Sequence, residues 1–180
     1  MRDTGIVRRI DELGRVVIPK EIRKTLRIKE GDPLEIYTDK EQLIFTKYSP
    51  IQSIEVLAKS VCDSMYELLE TPCYITDTNT VLCVAGGKKD LVKKHISVKL
   101  EKALKERKSL VICKEEGGTI IPVCLDDETD IENQIVVPII CNGDCFGSIV
   151  IFNKERAKRF NSLDVKLVRL GASVLARQFE

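Results

Sequence analysis

Apolar residues along this chain fall into short runs of β character, interrupted by stretches with a helical step. Gly5-Ile6-Val7-Arg8-Arg9-Ile10 and Arg15-Val16-Val17-Ile18 predict two β-branched strands, with Asp11-Glu12-Leu13-Gly14 as the loop between them. Pro19 suits the first turn of a short helix, Lys20 to about Ile28, which Glu30-Gly31-Asp32-Pro33 breaks. Leu34 to Thr38 and Leu43 to Tyr48 predict a hairpin around Asp39-Lys40-Glu41-Gln42.

A new unit begins near Ser49. Ser49-Pro50-Ile51-Gln52 has the grammar of a helix start, with Ser as N-cap, Pro at N1 and Gln at N3. Behind it Ile51, Ile54, Ala58, Val61, Met65 and Leu68 step alternately by three and four, a heptad seam. The last segment mirrors it: Asn161 as cap, Asp164 at N3, Phe160 positioned to staple onto Val165, and a seam of Phe160, Leu163, Leu167, Leu170 and Val174. Between these helices the strand candidates are Cys73 to Thr76, Val81 to Ala85, Ser109 to Cys113, Thr119 to Leu125, Gln134 to Cys141 and Cys145 to Asn153, with one helix from about Val98 to Arg107. The pattern predicts an α/β sandwich, a mainly antiparallel sheet with flanking helices.

Composition narrows the class. The 180 residues are 43% hydrophobic and 32% charged, enough to bury cores. The net charge of +1 carries no argument for nucleic acid, but its distribution does. Residues 1 to 29 hold nine basic side chains (Arg2, Arg8, Arg9, Arg15, Lys20, Arg23, Lys24, Arg27, Lys29) against four acidic ones (Asp3, Asp11, Glu12, Glu21). Lys20, Arg23, Lys24 and Arg27 recur at i, i+3, i+4 and i+7 and are expected to share an arc of about 100° on the helix, with Ile22 and Leu26 turned toward a core. Such a basic face suits a phosphate backbone; the rival reading is a solvated face. No apolar run reaches the roughly 18 residues of a membrane span, and no signal core follows the N-terminus. The seven cysteines sit mostly in apolar runs and read as reduced, buried thiols of a cytoplasmic protein.

About 48 residues rarely form a stable domain without disulfides or metal, and this stretch contains neither Cys nor His. An obligate dimer is the simplest remedy.

Residues 4 to 19, with Glu21-Ile22-Arg23-Lys24-Thr25-Leu26 and Gly31-Asp32-Pro33-Leu34-Glu35-Ile36-Tyr37, resemble the swapped-hairpin DNA-binding domain of the AbrB family. The resemblance implies a mainly β dimeric barrel with one short helix, built by interleaving the hairpins of two chains, at residues 1–48. Residues 49–55 then start a linker helix. The layout of residues 51–180, with Val136-Val137-Pro138-Ile139-Ile140, Asn142-Gly143-Asp144 and Gly147 to Phe152, resembles the GAF-type sensor domain that sporulation regulators join to such a head. The resemblance implies double-stranded DNA as partner, contacts from Arg8, Arg15, Arg23 and Lys24, readout of DNA shape more than of a tight consensus, and a homotetramer through the flanking helices. Lys24 stands where the family usually has Arg, keeping the charge and losing the bidentate fork. The wider candidate set is Arg8, Arg9, Arg15, Lys20, Arg23, Lys24 and Arg27. The implied role is activation and repression of sporulation genes from the cytoplasm, at the nucleoid and in the forespore.

Other constellations are weaker. Cys141 and Cys145 are spaced as a redox pair or half a metal site, but strand-end burial explains them. His95 follows Lys93-Lys94 in a polar stretch. Asp126, Asp127, Glu128, Asp130 and Glu132 lack calcium-loop spacing, and Gly86-Gly87-Lys88-Lys89 lacks phosphate-loop spacing. No catalytic residues, cofactor or metal site are expected. A small-molecule effector pocket, if present, is expected between the sheet and the helix near Val98 to Leu104. A ligand-hydrolysing signalling protein and an antitoxin-like module remain the alternatives.

Overall fold

A computed structural model describes residues 5–125, 127 and 129–180, and for Gln52 the backbone alone. The chain forms two compact units, one ending at Tyr48 and the other running from Ser49 to Glu180.

The first unit holds helix α1 (Lys20–Thr25) and a two-stranded antiparallel hairpin, β1 (Leu34–Asp39) and β2 (Gln42–Lys47), paired from Leu34↔Lys47 to Asp39↔Gln42. Lys40 takes the left-handed conformation that so short a connection requires (φ 53°). Helix α1 stops earlier than its sequence pattern predicts. Arg27 turns left-handed (φ 52°), its amide donates to the Lys24 carbonyl (3.2 Å) and the Ile28 amide to the Arg23 carbonyl (2.7 Å), which is a Schellman closure. Arg27 therefore leaves the arc expected of it.

The predicted strands at Gly5–Ile10 and Arg15–Ile18 do not form a ladder. The one described strand pair of this unit is β1–β2, and among the described residues neither segment joins it as a strand. Val7, Ile10, Leu13 and Val17 are each at least two-thirds exposed, and Leu26, expected to face a core, is 55% exposed. Among the described residues of this unit only Pro19 is buried.

The second unit is built on a five-stranded antiparallel sheet in the order β4-β3-β7-β6-β5. The strands are β3 (Cys73–Asp77), β4 (Val81–Ala85), β5 (Leu110–Cys113), β6 (Asn133–Cys141) and β7 (Asp144–Asn153). A 3-10 turn (Pro50–Ile54) leads into α2 (Glu55–Leu69); the Ser49 hydroxyl donates to Asp77 Oδ2 (3.1 Å) instead of capping the helix. α2 and α4 (Ser162–Ala176) cover one face of the sheet, with Ile51, Ala58, Cys62, Met65, Val168, Ala172 and Leu175 in its core. Gly171 permits their close approach, since a Cβ there would lie 2.6 Å from the Met65 methyl. α4 starts as its sequence predicts: Asn161 Oδ1 accepts from the Asp164 amide (3.2 Å) while Asp164 Oδ2 accepts from the Asn161 amide (2.7 Å).

On the opposite face lies α3 (Val98–Glu106), capped by Ser97. The run Thr119 to Leu125, predicted as a strand, is not one; it makes a single bridge, Cys124 with Ile96. The buried Gln134 side chain replaces the missing ladder. Its Oε1 accepts from the Ile121 amide (2.9 Å) and its Nε2 donates to the Ile121 carbonyl (2.7 Å). The apolar run is explained by burial of Val123 and Cys124 against α3 rather than by strand pairing.

Candidate nucleic-acid interface

The cationic side chains of the first unit are carried by one tight loop and one short helix. The loop is closed twice, by the Asp11 amide on the Arg15 carbonyl (3.1 Å) and by the Gly14 amide on the Asp11 carbonyl (2.9 Å), with Gly14 left-handed at φ 76°. Asp11 organises it. Its Oδ1 accepts from the amides of Leu13 (3.0 Å) and Arg15 (2.8 Å), and its Oδ2 receives Arg15 Nε (2.8 Å). The hydrogen bonds from the Arg15 backbone and side chain hold the Asp11 carboxyl below the usual range. Nε of Arg15 makes this contact while the side chain stays 71% exposed, which leaves its terminal nitrogens accessible as donors. Arg8 and Arg9 precede the same loop and are exposed, as is Arg15.

On α1, Lys20, Arg23 and Lys24 share one exposed face at i, i+3 and i+4. Thr25, inside the same helix, turns its hydroxyl back to the Glu21 carbonyl (2.9 Å). Arg27 stands apart at the helix end, half-buried, with its carbonyl taking a hydrogen bond from Lys47 Nζ. Six of the seven candidates thus lie on one exposed loop or one helix face. The sequence reading missed Asp11 as the residue that positions Arg15. Its signal was present: an Asp followed by Gly at i+3 is a turn former whose carboxylate reaches the amides ahead of it.

The remaining candidates resolve into structure. Cys141 and Cys145 sit across the β6–β7 turn in different positions, Cys141 buried and paired in register with Asp144, Cys145 half-buried and bonded to the Gly147 carbonyl. Burial pushes the Cys145 thiol up, away from reactivity. His95 Nδ1 lies 3.4 Å from the Asn79 carbonyl at the surface. Asp127 pairs with Lys88 (3.3 Å), and Asp130 and Glu132 pair with Lys114 (3.0 and 3.3 Å); Asp126 and Glu128 lie outside the described residues, as does Thr4. Gly86 and Gly87 pack closely on Tyr66 and Tyr74: a Cβ on Gly86 would lie 2.1 Å from a Tyr66 ring carbon, and one on Gly87 2.3 Å from the Tyr74 hydroxyl. On the α3 side of the sheet, where an effector pocket is expected, Tyr74, Leu91, Ile96, Leu100, Leu104 and Phe152 are buried in one apolar cluster.

Three comparisons bear on this architecture. Residues 53–180 match the family described as stage V sporulation protein T C-terminal, transcription factor, and residues 7–53 match the MazE family of antidote-toxin recognition, bacterial antitoxins. The second unit is similar to the GAF domain of an Acinetobacter phosphoenolpyruvate-protein phosphotransferase, with a TM-score of 0.56 and 13% identity over 71% of this chain and 86% of that one. That likeness gives the fold. The first unit is similar to the transition state regulatory protein AbrB of Bacillus subtilis, 52% identical over 65 residues, 36% of this chain and 68% of the relative. An AbrB-like head joined to a GAF-like unit defines a two-domain transcription regulator. The chain is also 43% identical to stage V sporulation protein T of Bacillus subtilis across 182 residues, all of this chain and 99% of that protein. It belongs to the stage V sporulation protein T family.

Proposed function

We propose that this sporulation transcription regulator grips double-stranded DNA with two copies of its first unit, whose loops (Arg8, Arg9, Arg15) and helices (Lys20, Arg23, Lys24) form one cationic surface, with Arg27 at its margin. The observation that carries the reading is the unit's lack of a core. Its β-branched segments are extended, unladdered and exposed, while its described basic residues outnumber its acidic ones over residues 5 to 29 by eight to three. Pairing these segments of one chain with those of another adds a backbone ladder and covers Val7, Ile10 and Val17. The same step brings two sets of arginines together. Phosphate contacts then position the dimer, and the arginine forks add preference by groove contact and DNA shape.

The exposed seam of α4 pairs such dimers into a tetramer. Leu163, Leu170 and Val174 are 61%, 59% and 39% exposed. The family's role implies activation at some promoters and repression at others, from the cytoplasmic nucleoid; an effector of the GAF-like unit would bias this output. The reading assigns no catalysis.

Salt titration of DNA binding by the full chain tests the surface. Arg15→Ala and Arg23→Ala each remove two charges from a dimer, so each is expected to flatten the slope of log affinity against log salt by about 1.8. Wild-type affinity and slope in both variants would place the contacts elsewhere. Co-purification of a small toxic protein with the chain would favour the antitoxin reading instead.

A further inference from the structure

We propose that the groove between β6 and α4 binds a small polyanion, and that this is where the effector of the regulator docks. The second clause rests on the regulatory reading above; the first does not.

The groove arises from a mismatch of strand lengths. β5 pairs with β6 only as far as Leu110↔Val136, so Val137–Cys141 has no strand beside it on that side. The space left beside α4 has a volume of about 420 Å³. That lies within the range of small-molecule sites, and is far below what a protein or duplex needs.

Its chemistry is divided. The floor is apolar, with Val137, Pro138, Ala172 and Ala176. The walls carry three guanidinium groups. Arg169 and Arg177 are eight residues apart, about 12 Å along the helix direction, and Arg107 comes from the opposite wall, where it closes α3 in a left-handed conformation (φ 55°). Ser173 lies midway between Arg169 and Arg177 on the same helix face, and Ser109 adds a second hydroxyl. The acids that face this set are few. Glu180 lines the groove, and Asp144 Oδ1 stands 4.0 Å from Arg107 Nη2. Among the described residues neither Arg169 nor Arg177 makes an ion pair, although Arg156 and Arg159 nearby in sequence both do.

Three guanidinium groups against the Glu180 carboxylate and the Asp144 carboxylate beside Arg107 leave a smaller excess of positive charge in a concave site, carried by Arg169 and Arg177. Guanidinium forks match carboxylate and phosphate oxygens in pairs, the hydroxyls supply further donors, and the floor accepts a short hydrocarbon part. The fitting ligand is a small organic anion with two or more negative charges, a phosphate ester or a di- or tricarboxylate. Arg169 and Ser173 belong to α4 and Arg177 caps its end, on the helix whose neighbouring positions Leu170 and Val174 form the exposed seam. A ligand bridging Arg107 to α4 therefore acts on the helix that the proposed tetramer uses.

Calorimetric titration of the full chain with pyrophosphate, and separately with citrate, tests the site. The expected result is saturable binding of at least one probe at one per protomer. The double variant Arg169→Gln with Arg177→Gln should bind at least about tenfold more weakly, with its thermal midpoint unchanged. Arg15→Gln with Arg23→Gln, in the first unit, should bind the probe as wild type does. No saturable binding of either probe up to about 10 mM, wild-type binding in the groove variant, or equal weakening by the first-unit variant would overturn the proposal. DNA affinity measured on the same preparations keeps the two readings apart: a chain that ignores DNA yet binds the probe in the groove sinks only the function proposed above.

Discussion

Leu163→Ala with Leu170→Ala is the most informative change in the second unit, because its effect on assembly and its effect on folding should differ widely. Both leucines lie on the outer face of α4 and are about three-fifths exposed, whereas Val168, Ala172 and Leu175 on the inner face are buried. Truncating a leucine to alanine removes three carbons, about 2.4 kcal/mol when the side chain is fully buried. Three-fifths of that remains to be gained at an interface, about 1.4 kcal/mol per site. A two-fold contact uses each site twice, so four truncations remove about 5 to 6 kcal/mol, close to four orders of magnitude in the dissociation constant. Within one protomer the same exchanges touch little, and alanine is the better helix former, so folding stability should move by less than about 0.5 kcal/mol. Sedimentation equilibrium of the full chain reads the first quantity and thermal unfolding the second. The expected outcome is half the wild-type mass at micromolar concentration with an unchanged midpoint. An unchanged mass would remove the seam from the assembly. A midpoint lowered by many degrees would mean that these leucines already belong to a core.

Two further outcomes follow from buried groups. Gln134→Leu loses both hydrogen bonds to Ile121 and strands that backbone pair, a cost of about 2 to 4 kcal/mol; urea unfolding measures it, and amide exchange at Ile121 should accelerate, while a cost under about 0.5 kcal/mol would show that the 119–125 segment is held by its apolar contacts alone. Hydrogen bonding to Cys73 and burial push the Cys62 thiol far up, and hydrogen bonding to Cys62 and burial do the same to Cys83. The folded chain thus keeps protons that the unfolded chain releases above about pH 8.5, so stability should be level below that value and fall as pH rises beyond it, by up to about 1.4 kcal/mol per unit for each thiol. Urea midpoints between pH 8 and 10 should show the fall, and Cys83→Ala should make it shallower; an identical pH slope in the variant would refute the assignment.

What the sequence revealed follows from how local each signal is. The capping box at Asn161 and Asp164 is a four-residue device, and it forms as read. Five of the six strand runs in the second unit, among them Val81–Ala85, are legible because alternation and β-branching act within one strand. The failures turn on hydrogen bonds that hydrophobic periodicity does not encode. Thr119 to Leu125 is apolar enough for a strand, but its hydrogen-bonding partner is a side chain thirteen residues away, and no periodicity encodes that. Arg27 has the right spacing for the basic face, but the Schellman closure ends the helix two residues before it. Arg107, Arg169 and Arg177 are scattered over 70 residues, and only the short β5 and the path of α4 bring them to one groove.

The two proposed association surfaces have separate physical origins, and that separation is testable through DNA. The first unit associates because it has no core of its own, so its dimer should persist wherever the chain is folded and DNA-competent. The α4 seam belongs to a unit that already has cores on both faces of its sheet, so losing it leaves every fold intact. Leu163→Ala with Leu170→Ala should therefore leave affinity for a short duplex, which engages one dimer, within about threefold of wild type and its salt slope unchanged. On a long duplex carrying two sites, the proposed tetramer would bind its second site intramolecularly, a gain on the order of a hundredfold or more, which the variant should lose. Equal weakening on short and long duplexes would contradict this division, because it would mean that the seam supports the DNA-binding dimer itself.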